Sequence, residues 1–184
     1  VLAEGDYYDE EDPSDDDWDP AADLQIQPFA WAMLLQAAGL AEATGTRLQL
    51  TAAGRKATTR PAHEVIRLVW QKWLKTTLLD EFSRINVIKG QQAKGRSLTA
   101  VAPRRQAVVE VLQACPVQKW IAVEELFRLL KVLTQDFYVT HDAWKLYIGE
   151  QQYGSFGYEG DYAWESLQGR FVLAFLFEFA ASWA

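Results

Sequence analysis

Cysteine and histidine are almost absent from this chain, and their scarcity narrows its chemistry. Cys115 is the single cysteine in 184 residues, which excludes an internal disulfide and any cysteine-based zinc site. That usage fits a reducing, cytoplasmic setting. His63 and His141 stand far apart, with no cysteine or carboxylate ligand pattern around either. They suit surface or capping roles rather than metal binding or acid–base catalysis. There is no G-x-x-x-x-G-K-[ST] loop for nucleotide phosphates and no G-x-S-x-G elbow for a serine nucleophile. No apolar run reaches membrane-spanning length, because Glu178 interrupts the most apolar segment, FVLAFLFEFAASWA. A non-enzymatic protein is expected, with no catalytic residue, metal, cofactor or membrane contact assigned. A cationic, cleavable leader is missing too, and so is an initiator Met. Beginning at Val1 and stopping within an apolar helix, the chain is expected to be part of something longer.

Positive charge is missing from one end. Residues 1–24 contain no lysine or arginine but hold eleven acids: Glu4, Asp6, Asp9, Glu10, Glu11, Asp12, Asp15, Asp16, Asp17, Asp19 and Asp23. Like-charge repulsion and a shortage of aliphatic side chains predict an acidic arm or linker, taken as residues 1–27. Its DEEDPSDDDWD run lacks the glycine and terminal glutamate spacing of a calcium loop. Of the 25 acids in the chain, 14 remain for residues 25–184 against 18 lysines and arginines, so a body of +4 sits behind a total of −7. Aromatic residues, by contrast, are plentiful at 13%, eight of them Trp, which points to a packed body.

Along that body the apolar spacing is mostly helical. Phe29, Trp31, Leu34 and Leu35 mark a short helix with Pro28 in its first turn and Gly39 as a left-handed stop. LAEA and RLQL then flank Thr44-Gly45-Thr46, predicting a two-stranded ribbon in which Leu40, Leu48 and Leu50 pack and the alternate residues are wet. Thr51 is placed to N-cap a short helix. Residues 62–85 predict one long helix whose apolar face includes Val69, Trp70, Trp73, Leu78 and Phe82. A polar connector covers 89–103. Pro103 opens a second helical unit that Pro116 breaks, with a further helix carrying Leu126, Leu129, Leu130 and Leu133. Residues 135–162 suggest short strands and an aromatic loop, and 163–183 a buried apolar helix.

Gly39-Leu40, Gly45, Leu48 to Thr51, Gly54-Arg55 and Trp70 with Trp73-Leu74, taken in order, resemble the helicase-associated winged-helix region. That region is related to the N-terminal domain of XPB-type helicases and their prokaryotic relatives. The WIAVEEL stretch, Tyr147, Trp164 and the closing helix are similar to its later half. The resemblance implies a mainly α fold with small β-ribbons and tandem winged-helix-like units. The division is then a partial unit at 28–61, a connecting helix and basic loop at 62–102, and a second unit at 103–184 truncated before its wing. It also implies DNA-contacting or domain-packing modules within larger proteins.

Candidate phosphate contacts are Arg47 at the ribbon and Arg55, Lys56 and Arg60 in the helix after it. A second basic stretch comprises Lys89, Lys94, Arg96, Arg104 and Arg105. A body at only +4 implies weak, salt-sensitive DNA binding with little base reading. The alternative is a protein-interaction or scaffolding module that contacts other domains of a larger protein through Tyr153, Phe156, Tyr158 and the terminal apolar helix. A third reading joins the two, with the acidic arm occupying the basic face.

Overall fold

The structure, a computed structural model, describes residues 20–85, 88–89, 98–133, 137–140, 147–150, 154–156 and 164–183. In chain order it contains α1 (Pro20–Ala37), a ribbon of β1 (Ala41–Thr44) and β2 (Arg47–Leu50), α2 (Ala52–Ala57) and α3 (Ala62–Trp73). A 3-10 turn (Glu81–Arg84) and β3 (Ile88–Lys89) follow. Then come α4 (Val101–Ala114), α5 (Val123–Leu133), β4 (Tyr147–Glu150), β5 (Gly154–Phe156) and a closing helix, α6 (164–183). The fold is mainly helical with two small antiparallel sheets, β1-β2 and β3-β4-β5. In the second sheet Ile88 pairs with Ile148, Lys89 with Tyr147 and Ile148 with Phe156, so the expected connector begins in a strand at Lys89.

Helix α1 starts earlier than its apolar stripe suggests. Pro20 lacks an N–H that the first turn would leave unpaired in any case, and AADLQIQ continues the helix through Pro28. Residues 20–27, assigned from sequence to the arm, are therefore helical. Helix α6 shows how spacing becomes packing. Leu167, Phe171, Phe175 and Phe179 recur every four residues and all are buried. In a regular α-helix such a row drifts by about 40° per step. Wider π-helical turns at Glu165–Gly169 and Ala174–Phe179 counter that drift and keep the row on one face.

This face meets α1 and α3. Trp73 stacks on Phe175 with ring centroids 4.7 Å apart, and Trp70 meets Trp73 edge-on at 5.2 Å. Trp183 closes the cluster against Trp31 and Trp70. Each large side chain buried this way contributes about 1.5–3 kcal/mol relative to exposure. Ala30, Val69, Val108, Leu130 and Phe171 belong to one continuous apolar cluster, so the boundary expected between 102 and 103 does not divide the core.

The long helix expected over 62–85 ends at Trp73. Its freed carbonyls have a specific partner. Arg105, fully buried on α4, donates to the carbonyl oxygens of Trp73, Thr76 and Leu79, and to Glu81 Oε1 at 2.7 Å. The guanidinium thus holds the chain in the turn that a continued helix would have straightened. Arg104 beside it forms a bidentate pair with Asp80, donates to Thr99 O, and lies over the rings of Phe82 and Phe171. Asp80 in turn caps the 3-10 turn by accepting from Phe82 N. Both arginines were candidate phosphate contacts, and both are instead buried ion-pair partners within the core. Burial raises the Glu81 carboxyl above its ordinary range against the pull of Arg105, and its Oε2 has no hydrogen-bond partner. Arg105→Ala should destabilise the fold by about 3–5 kcal/mol, measured by urea denaturation, because it strands the buried Glu81 carboxyl and removes the donor to the Thr76 and Leu79 carbonyls. A loss below about 1 kcal/mol would contradict this role.

A third pair ties α6 to the same turn: Arg84 Nε donates to Glu178 Oε2 at 2.7 Å, and Arg84 lies over Phe29. Burial pushes the Glu178 carboxyl up, and the Arg84 hydrogen bond opposes it only in part. The folded state therefore holds this proton more tightly than the unfolded chain does. The resulting stabilisation is full below pH 4.5 and is lost as pH rises through the raised folded value. The stability difference between wild type and Glu178→Gln, followed by denaturation from pH 4.5 to neutrality, should move in the variant's favour as pH rises. Movement toward the wild type would mean that Arg84 outweighs burial.

Candidate nucleic-acid interface

The ribbon is built from a few local rules. Gly39, at φ +71°, ends α1 as the sequence predicts, and Leu40 N donates back to Leu35 O. Thr44 pairs with Arg47, leaving Gly45-Thr46 as a two-residue tip. Gly45 has φ +61° and Thr46 does not share a positive φ, which is the pattern of a type II′ hairpin. Thr51 fastens the base. Its hydroxyl donates to Gly39 O at 2.7 Å and accepts from Gly54 N at 3.0 Å, while Thr51 N donates to Leu40 O. The N-cap expected at Thr51 is present.

Above that base the ribbon stands in solvent. Ala41 is its only buried residue, and Leu48 and Leu50 are 45% and 43% exposed. The packed face expected for Leu48 and Leu50 is not formed. Tertiary contact stops at the foot of the ribbon, where α2 approaches closely. A Cβ on Gly54 would lie 1.9 Å from Leu40 O, inside any permitted contact. Gly54→Ala should therefore push α2 off the ribbon base and cost about 1–3 kcal/mol, read as a lower urea midpoint. An unchanged midpoint would show that this approach is dispensable.

Exposed cations gather on this part of the chain. Residues 41–79 contain seven basic side chains (Arg47, Arg55, Lys56, Arg60, Arg67, Lys72 and Lys75) and two acids, Glu42 and Glu64, a net of +5. Residues 80–184 carry eleven basic and twelve acidic residues, a net of −1, so the positive excess of the body lies in the ribbon, α2 and α3. All seven cations are exposed. Among the described residues only Arg60 has an acidic partner, Glu64 at 3.0 Å. Arg55 donates to Leu50 O, which holds its guanidinium against the end of β2.

Arg47 lies on β2 and Arg55 and Lys56 on α2, whereas Arg60, expected in the same helix, falls in the turn after it; all four are exposed. The structure also adds Arg67, Lys72 and Lys75, which a charge count by window would have found. Lys89 lies in β3, while Lys94 and Arg96 fall outside the described residues. Tyr153 and Tyr158 are outside them as well, and Phe156 ends β5. The terminal helix, expected to offer an apolar face to partners, spends that face on its own core and leaves Phe177 exposed. His63 is exposed, and His141 is outside the described residues. Among the described residues no group of three or more His, Cys, Asp or Glu could hold a metal ion. No described helix is long and apolar enough to cross a membrane. No protein-family model, curated protein or solved structure matches the chain.

Proposed function

We propose that the β1-β2 ribbon with α2 and α3 is a non-enzymatic, winged-helix-type module that contacts the DNA backbone within a larger DNA-processing or regulatory protein. One observation carries it: a hairpin free of the core above its base, followed by a run of exposed cations most of which lack acidic partners. Guanidinium and ammonium groups in this state neutralise phosphates without first breaking internal ion pairs. The body carries only +4, so binding is backbone-directed, weak and insensitive to sequence.

Fluorescence anisotropy with a mixed-sequence duplex, titrated across salt, tests this. Arg47→Ala with Arg55→Ala should weaken binding at every sequence and lower the log–log salt slope by about two. Trp120→Ala, remote in sequence, should change neither. An unaffected double variant, or no binding at low salt, rejects the proposal. The protein-interaction reading has one observation in its favour. Val117 and Trp120, in the turn between α4 and α5, are exposed almost completely, a rare setting for tryptophan. That reading therefore rests on the α4–α5 turn rather than on the closing helix.

A further inference from the structure

The charge of the chain is divided between two segments of opposite sign. Ten acids and no lysine or arginine fall within residues 1–19, which precede α1, and the net +5 falls within 41–79. Helix α1, 18 residues long, joins them: residue 19 meets its first turn at Pro20, and its last turn runs into the ribbon through Gly39. At 1.5 Å per residue the separation is about 27 Å, whereas 19 residues reach up to about 65 Å when extended. The acidic segment is therefore long enough to run back along α1 and overlap the cations. Those cations, Arg60 aside, have no acidic partner among the described residues.

We propose that residues 1–19 dock on the cationic surface of the ribbon, α2 and α3 in the free protein and are displaced from it by nucleic acid. The competition half rests on the DNA-contact proposal for that surface; the docking half does not. A tethered segment acts at an effective concentration on the order of millimolar. An intrinsic arm affinity of about 0.1 mM then weakens DNA binding about tenfold. Tyr7, Tyr8 and Trp18 interleave the acids and supply apolar contacts beside Leu48 and Leu50, which are partly exposed on the ribbon.

The full chain, treated in dilute solution with a carbodiimide that joins carboxylates to amines, tests docking directly. Mass spectrometry of the monomer should find residues 1–19 linked to Lys56, Lys72 or Lys75, and the links should fade in high salt. Absent links, or links equally frequent to Lys119 and Lys131, overturn the proposal. Replacing the ten acids of residues 1–19 by their amides should tighten duplex binding about tenfold at low salt. Unchanged affinity with links present overturns the competition. Links without duplex binding by either protein support docking and reject the DNA reading instead.

Discussion

A single guanidinium buried between helices organises the middle of this molecule. Arg105 has five donors and no acceptor, and its position on α4 delivers four hydrogen bonds to one stretch of chain, three to carbonyls and one to Glu81. Without it, Glu81 and the part-buried carbonyls of Thr76 and Leu79 would lose their donor. With it, the chain turns, Asp80 meets Arg104, Glu81 is sealed, and Arg84 is brought to Glu178 on α6. Three ion pairs within the five residues 80–84 thus bind α4 and α6 to the turn that follows α3. Aromatic rings cover the same charges, with Arg105 over Trp73 and Arg104 over both Phe82 and Phe171.

This arrangement leaves a division of labour between arginines. Those after residue 80 that the structure describes in detail serve mostly inside: Arg84, Arg104 and Arg105 neutralise carboxylates and hold turns. Those before residue 76 lie on the surface and, apart from Arg60, have no acidic partner among the described residues. The structure thus sets a core closed by buried ion pairs beside a ribbon that is exposed above its base.

Local chemistry made the ribbon legible in the sequence. Gly39, Gly45 and Thr51 act within a few residues of themselves, through a left-handed stop, a tight tip and a cap, and each does so in the structure. The closing helix was legible for the same reason, since its apolar spacing leaves no other outcome. Arg104 and Arg105 were not. A basic pair beside a glycine- and lysine-rich stretch is indistinguishable by letters from a phosphate-binding run. Only their partners Asp80 and Glu81, 24 residues away, identify them as core groups. The end of α3 was hidden likewise, because the apolar period continues through Leu78 and Phe82 while the interaction that breaks the helix comes from α4. Leu48 and Leu50 misled in the opposite sense: alternation predicts a packed face only when something lies opposite to pack against.

Amide chemical-shift mapping on the intact chain during titration with a short duplex at low salt would test the central claim most directly. The account predicts that the largest changes fall on residues 41–60, from the ribbon through the turn after α2. Changes confined to the α4–α5 turn around Trp120, or none at saturating duplex, would contradict it.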